Sequence, residues 1–151
     1  MQPVESTIQS EVEKVQKAWG DGIVAIGKVS KENGNVQNAA AQHVDMFYGY
    51  DLGQVCFKPT KASEKQWRPT REEAISYFVG GVCEEDHGFA LQPWVAVRFE
   101  GEGMMQSGEM TMSWGNYYFT DEQGAETKVE YHFAYVRDGE GKLKIMQHIS
   151  T

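Results

Sequence analysis

The architecture can be built outward from residues 129–150, which are VEYHFAYVRDGEGKLKIMQHIS. Apolar and polar side chains alternate through residues 129–136 and again through 143–150, which is the period of a half-buried β-strand. Between the two runs, Asp138 to Gly141 supplies residues that favour a turn. The stretch therefore predicts an antiparallel hairpin with one face on the core and the other directed outward.

The residues before this hairpin continue the strand pattern. Val95, Val97 and Phe99 alternate with Trp94, Ala96 and Arg98. The glycines at 101 and 103 predict a turn after this strand, and residues 104–120 predict one or two further strands. Another turn is expected at 121–126, around Gly124. Period-two patterning thus extends through most of the second half of the chain.

The first half of the chain has helical patterning instead. Apolar residues recur every three or four positions from Val4 to Trp19, and the pattern continues past two glycines to about Lys31. Ser6, with Gln9 three residues later, resembles a capping box and would start this helix a turn later. A second helix is predicted over residues 36–48.

A short strand and a third helix complete the predicted elements. Residues 55–57 predict a buried strand that Pro59 stops. Thr70 is the predicted N-cap of a helix that runs to about Phe78, with Glu73 in the capping-box position. We therefore expect an α+β fold in one domain over residues 1–151, with N-terminal helices packed on a curved antiparallel sheet of four to six strands. Such a sheet wraps into a cone, and every second residue of its long strands lines the pocket.

The composition limits the partners and the compartment. Lys and Arg number 14 and Asp and Glu number 22, which gives a formal net charge of −8. This charge disfavours nucleic acid and anionic membrane surfaces, because both bind to basic faces. Two cysteines, Cys56 and Cys83, are too few for a disulfide scaffold, although one bridge stays open. The sequence has no signal peptide and no membrane-spanning run, so we expect a cytoplasmic protein unless a targeting segment has been removed.

No compact metal or nucleophile motif is present. The four histidines, at 43, 87, 132 and 148, form no His-x-His or His-Glu-x-x-His pair, and neither cysteine lies in a Cys-x-x-Cys motif. A zinc site assembled from distant elements stays open. His87 follows an acidic run in a predicted loop, where a solvated side chain is expected. His43 is expected to pack or hydrogen-bond beside the apolar face of the second helix.

A set of neutral polar side chains remains at positions that the cone would make internal. Ser150 and His148 lie two residues apart on one strand face, Tyr77 lies late in the third helix, and Thr60 follows the short strand. Hydroxyl, phenol and imidazole groups together can hold a small trigonal oxyanion without a full counter-charge. Spacing alone is explained at least as well by hydroxyls that cap loops and by an ordinary strand histidine.

A longer set of segments resembles the iota-class carbonic anhydrases. The resemblance runs from about Val36 to the end of the chain. It is carried by FKPTKAS (57–63), RPT (68–70), AISYFVGG (74–81), DHGFA (86–90), PW (93–94), GNYYFT (115–120), KVEY (128–131) and GKLKIMQHIST (141–151). It implies the cone-shaped fold of nuclear transport factor 2, ketosteroid isomerase and kinase association domains. It also implies an enzyme that interconverts carbon dioxide and bicarbonate.

The same resemblance implies the site residues and the cofactor requirement. Thr60 matches the threonine of a Lys-Pro-Thr motif and Tyr77 the tyrosine of a Ser-Tyr-Phe motif. His148 and Ser150 match the first histidine and first serine of a closing His-His-Ser-Ser strand. Ile149 and Thr151 depart from that closing motif, which removes a paired-histidine ligand. Bicarbonate held by hydroxyls without a cofactor is therefore implied, while the description of some members as manganese- or zinc-dependent leaves those metals open.

The mechanism expected from these residues relies on positioning. Thr60, Tyr77 and Ser150 would donate hydrogen bonds to the developing bicarbonate. His148, with the ordinary imidazole pKa of about 6.5, would order the attacking water or carry its proton.

Two other functions stay open on the same fold. A ketosteroid isomerase-like enzyme would need a carboxylate directed into the cone. The late strands place no acid clearly on the pocket face; Glu130 shares a strand face with His132, where a solvated or paired glutamate is expected. A non-enzymatic ligand-binding or association module is the second alternative, because fold does not imply function. By analogy we expect a homo-oligomer, with a dimer favoured. Its interface would be either the face that bears Tyr131, Phe133 and Tyr135 or the opposite one.

Overall fold

The computed structural model describes residues 4–151; Met1 to Pro3, part of the stretch inspected for a targeting signal, lie outside it. The helices are α1 (Ser6–Lys31), α2 (Val36–Phe47) and α3 (Arg71–Val79). The strands are β1 (Cys56–Lys58), β2 (Trp94–Ser107), β3 (Met110–Asp121), β4 (Glu126–Arg137) and β5 (Leu143–Ser150). A short 3₁₀ turn, Phe89–Leu91, precedes β2. None of the helices in residues 4–151 combines the length and the apolar composition that a membrane crossing requires.

The strands form one open sheet in the order β1-β5-β4-β3-β2. The helices pack on one face of this sheet, so the predicted α+β class is confirmed. The sheet is mixed, because β1 runs parallel to β5 and places Phe57 beside His148, while the other pairs are antiparallel. A parallel pair needs a long crossover connection, and here the chain passes through α3 and three long strands before β5 returns beside β1.

The turn predicted at residues 101–103 is wrong. Strand β2 continues through these glycines and shifts its register against β3 between Gly101 and Gly103, while the chain reverses at Gly108. Opposite the shift, a Cβ atom on Gly115 would lie 2.5 Å from the carbonyl oxygen of Glu100. The glycines therefore permit a close backbone approach at a bulge, which bends the long strands over the helices.

The helix termini confirm one capping prediction and correct another. The side chain of Thr70 accepts a hydrogen bond from the backbone of Glu73, whose carboxylate accepts one from the Thr70 backbone, so the predicted capping box of α3 is present. Helix α1 begins at Ser6 itself, and its N-cap, Glu5, makes no side-chain cap, so the predicted Ser6 capping box is wrong. The packing of Trp19 and Ile23 against the sheet keeps α1 continuous past its glycines to Lys31.

The aromatic face of β4 lies in the core. Tyr131, Phe133 and Tyr135 are each 2% exposed or less. This burial excludes that face as a docking surface and leaves the opposite face of the sheet outermost. Cys56 and Cys83 are both free cysteines.

His43 is buried among aromatic rings between α1, α2 and α3. Its ring centroid lies 4.9 Å from that of Phe47 and 5.4 Å from that of Phe78. Its Nε2 atom finds no hydrogen-bond partner among the described residues, so the expected packing is present. Burial lowers the pKa of His43 from 6.5 to about 3. The folded protein therefore holds this imidazole neutral at a pH where the unfolded chain protonates it.

We expect His43→Leu to make the protein less sensitive to acid. Below pH 6.5 the unfolded state binds a proton that folded His43 does not, so wild-type stability falls as the pH falls from 6.5 towards 3. Leucine removes this contribution of about 1.4 kcal/mol per pH unit. The stability advantage of His43→Leu, measured by urea unfolding at pH 7, 6 and 5, should grow at each step. His132→Gln, at an exposed histidine, is the control, and an advantage independent of pH would contradict the prediction.

Candidate active site

A small cavity lies where β1, β3 and β5 face α1 and α3. Its free volume is about 10 Å³, which is room for roughly one water molecule. The side chains that enclose it are mostly aromatic, with a few hydroxyl groups and one imidazole: Trp19, Phe57, Pro59, Thr60, Tyr77, Phe78, Phe89, Tyr117, Phe119, His148 and Ser150. All four residues predicted for the site, Thr60, Tyr77, His148 and Ser150, are in this set.

Thr60 is positioned by a loop that buried charges hold in place. After β1, the loop is anchored by Arg68, whose side chain is completely buried. The Arg68 guanidinium donates to both carboxylate oxygens of Asp86 at 2.7 Å and to the backbone carbonyls of Lys65 and Glu73 at 2.9 Å. The Glu85 carboxylate accepts hydrogen bonds from the backbone amides of residues 63–65. These contacts fix the Thr60 loop against the chain that follows α3.

Tyr77 reaches the cavity from α3. Its ring stacks on Phe89 at a centroid distance of 5.5 Å, and its hydroxyl accepts a hydrogen bond from the Lys61 amide at 3.3 Å. Burial raises the pKa of Tyr77 above its ordinary value. The phenol is therefore protonated at neutral pH and can donate a hydrogen bond into the cavity.

His148 and Ser150 lie on the inward face of β5 and are 2% and 1% exposed. The imidazole is held between the rings of Phe57 and Phe133, at centroid distances of 5.0 Å and 4.2 Å. This apolar enclosure lowers the pKa of His148 to about 3. His148 is therefore neutral at physiological pH, which opposes the proton-carrying role expected from an ordinary histidine.

A chain of hydrogen bonds connects His148 to the hydroxyls of the cavity. The Trp19 indole donates to the Tyr48 hydroxyl at 3.2 Å, and that hydroxyl lies 2.8 Å from His148 Nδ1. On the other side of the ring, His148 Nε2 lies 3.0 Å from the Tyr117 hydroxyl. The Tyr117 hydroxyl contacts the Ser150 hydroxyl, which in turn contacts the Thr60 hydroxyl.

The arrangement in which every donor of this chain has an acceptor places the proton of the imidazole on Nε2. An indole nitrogen can only donate, so the Tyr48 hydroxyl accepts from Trp19 and donates its own single proton to another acceptor. Nδ1 is its acceptor, and the single proton of the neutral ring is then on Nε2, from which it is donated to Tyr117. The same matching of donors to acceptors continues towards the cavity: Tyr117 donates to Ser150, and Ser150 donates to Thr60. The Thr60 hydroxyl is left free to donate into the cavity, at the end of a chain whose members polarise one another.

Sequence patterns alone did not identify three members of this chain. Tyr117 lines the cavity, whereas Tyr48 and Trp19 act behind His148. Tyr117 and Phe119 lie two residues apart and share the inward face of β3. Tyr117 also lies in one of the segments that carried the resemblance. The strand period and the resemblance together could have identified it. Tyr48 follows the last residue of α2, where no period indicates its orientation.

The acidic residues do not form a catalytic base in this cavity. The set that encloses it contains no carboxylate, and Glu130 is exposed, where it accepts a hydrogen bond from the Thr151 hydroxyl. The isomerase-like alternative therefore lacks the inward carboxylate that it needs. Among residues 4–151, no three His, Cys, Asp or Glu side chains lie close enough together to hold one metal ion.

A larger groove lies elsewhere, between α1 and β2. It encloses about 720 Å³ and is bordered by charges of both signs, Glu13, Lys17, Arg98 and Glu102. Its volume is largely open to solvent and its rim carries no excess of one charge. The small cavity has the converging hydroxyl donors, so we place the candidate active site there.

Comparisons with known proteins agree with the family that the sequence resembles. A family model described as metal-independent carbonic anhydrase matches residues 10–151. A metal-independent carbonic anhydrase from Nostoc sp. is 38% identical over 148 residues, which are 95% of this chain and 72% of that protein.

Two solved structures are also similar. A cyanobacterial iota-carbonic anhydrase in complex with bicarbonate has a TM-score of 0.90 and 37% identity, over 98% of this chain and 92% of that one. A protein from Streptomyces avermitilis, described as a dehydratase of the nuclear transport factor 2-like family, has a TM-score of 0.58 and 12% identity. The alignment covers 95% of this chain and 94% of the Streptomyces protein, and at this identity it supports a shared fold and no shared activity. With its predicted fold shared and its sequence matched almost from end to end, this chain belongs to the metal-independent, iota-class carbonic anhydrases.

Proposed function

We propose that this protein catalyses the reversible hydration of carbon dioxide to bicarbonate, without a metal cofactor, in the small cavity. The observation that carries the proposal is the convergence of the Thr60, Ser150, Tyr117 and Tyr77 hydroxyls on one aromatic-walled space. The family's described activity and the bicarbonate in the cyanobacterial structure support the same substrate.

The aromatic walls and the hydroxyls have different tasks. Phe57, Phe78, Phe89 and Phe119 give an apolar surface suited to carbon dioxide, which carries no net charge. As water adds to carbon, negative charge develops on the oxygens, and Thr60, Tyr77 and Ser150 donate hydrogen bonds to it. Donors already directed at such charge stabilise the transition state more than the uncharged substrate. His148 remains neutral and holds Tyr117 and Ser150 in their donating orientations.

Substrate must displace contacts that now close the cavity. Roughly one water molecule fits, whereas bicarbonate has four heavy atoms. The hydroxyls of Thr60, Ser150 and Tyr117 contact one another, so an entering anion would replace hydroxyl–hydroxyl hydrogen bonds with hydroxyl–anion bonds. Charge-assisted bonds are the stronger kind, which makes this exchange favourable for bicarbonate.

The test is carbon dioxide hydration by stopped flow on purified protein, with and without a strong chelator. We expect a rate above the uncatalysed reaction that the chelator leaves unchanged. Activity lost to the chelator would contradict the metal-free proposal. No activity in either sample would overturn the assignment to hydration and favour the non-enzymatic binding or association module.

We further propose a homodimer of single-domain subunits that uses the outer face of the sheet. The strand register places two neighbouring rows there, one with Met105 and Met112 and the other with Trp114 and Ile149. These apolar side chains are half-exposed, with the exposed His132 between Trp114 and Ile149, and a second copy of the chain is the partner proposed for them. Sedimentation velocity of wild type and Trp114→Glu tests this assembly. The cytoplasmic location stays a prediction from the sequence.

A further inference from the structure

Hydration releases a proton that must leave the cavity. The hydrogen-bond chain that runs from the cavity through His148 to Trp19 cannot conduct this proton to solvent. The water oxygen bonds to carbon, a carbon–oxygen π pair moves to oxygen, and the products are bicarbonate and one proton. The inner chain ends at the Trp19 indole, which has no lone pair in its ring plane to accept a proton. With its pKa lowered to about 3, the neutral His148 ring does not take up a second proton at neutral pH. The proton must therefore leave towards solvent.

A second cleft opens beside the cavity on its solvent side. It encloses about 350 Å³, and Tyr77 and Phe89 are walls of both spaces. The other groups that line it come from the loop after β1 and from the chain between α3 and β2: Lys61, Glu85, Asp86, His87, Gly88, Leu91 and Gln92. A proton that passes Tyr77 thus enters a cleft bordered by titratable groups.

Four of the five titratable groups that face this cleft are unsuited to accept a proton. Tyr77 is a protonated phenol, since burial raises its pKa. Three backbone amide hydrogen bonds lower the pKa of Glu85 to about 2. Both Asp86 oxygens are occupied by Arg68, and one of them also accepts from the Ser76 hydroxyl at 2.5 Å. A lysine ammonium such as that of Lys61 has only donors.

The remaining group is His87, which is exposed to solvent. Imidazole is the side chain suited to exchange protons with water between pH 5 and 8. We propose that His87 accepts the proton released by hydration at the mouth of the cleft and passes it to buffer in bulk solvent. The first transfer forms an imidazolium, and the second restores the neutral ring for the next turnover. This role rests on the hydration reaction proposed above.

The test compares His87→Ala with wild type in carbon dioxide hydration at low and high buffer concentration. General acid–base groups contribute about 10²–10⁴-fold to rate, so at low buffer we expect kcat to fall by about 10²-fold while kcat/KM stays near that of wild type. Added imidazole should restore kcat, because a free base in solution can replace the missing side chain. His132→Gln, which removes an exposed imidazole on the outer face of the sheet that does not line the cleft, should behave as wild type.

Each outcome decides a different point. Equal kcat for His87→Ala and wild type at every buffer concentration would overturn the proton-accepting role and leave hydration intact. A loss of kcat that imidazole does not restore would also overturn it, because a structural role would behave in that way. Wild type without activity would overturn the hydration reaction itself, and the role of His87 with it.

Discussion

Thr60→Val and Ser150→Ala should each lose most of the hydration activity while remaining folded. Each change removes one hydroxyl at nearly constant side-chain shape, and both hydroxyls face the cavity. Loss of a single donor to a developing oxyanion costs roughly 10²–10³ in rate. Stopped-flow hydration measures kcat/KM, and thermal unfolding verifies that the variants are folded. Thr60 is the last donor of the hydrogen-bond chain, so its loss should be at least as severe as that of Ser150.

Ser113→Ala is the matched control for these variants. Ser113 is also a buried β-strand serine, 2% exposed, but its hydroxyl accepts a hydrogen bond from Gln16 outside the cavity. Its replacement should reduce stability modestly and leave kcat/KM near that of wild type. If Thr60→Val and Ser150→Ala both kept wild-type activity, hydroxyl donation in this cavity would be refuted.

Asp86→Asn should be the most destabilising of the substitutions considered. It retains the side-chain shape but leaves the fully buried Arg68 guanidinium without its bidentate carboxylate. Removing one partner of a buried ion pair costs about 3–5 kcal/mol when the remaining charge is uncompensated. Glu85 lies 3.9 Å from the Arg68 guanidinium, so we expect a loss at the lower end of this range. Urea unfolding at pH 7 measures the loss. Since Arg68 anchors the Thr60 loop, we expect the remaining folded fraction to show weakened hydration as well.

A second bidentate arginine–aspartate pair provides the control. Arg71 donates to Asp45 at 2.6 Å and 2.9 Å, but these side chains are 39% and 56% exposed. Water solvates either charge when its partner is removed, so Asp45→Asn should cost at most about 1 kcal/mol. Similar losses for Asp86→Asn and Asp45→Asn would show that burial of the Arg68–Asp86 pair does not determine its contribution.

The local patterns of the sequence were sufficient for most elements of the fold. The alternation in residues 129–150 and the capping residues Thr70 and Glu73 depend on near neighbours, and these predictions are confirmed. The turn predicted at Gly101 to Gly103 failed because glycine permits both a chain reversal and a bulge. The close approach of Gly115 to Glu100, which lies on a different strand, selects the bulge.

The site shows the same division between local and long-range information. The resemblance indicated Thr60, Tyr77, His148 and Ser150, and folding brings them to one cavity. Their protonation states depend on residues distant in sequence: Phe57 and Phe133 enclose His148, and Trp19 and Tyr48 orient its proton. An ordinary pKa was the reasonable expectation for a histidine considered by itself. Desolvation and hydrogen bonding are properties of the packed interior, so only the tertiary structure makes this histidine neutral and directs the proton towards His87.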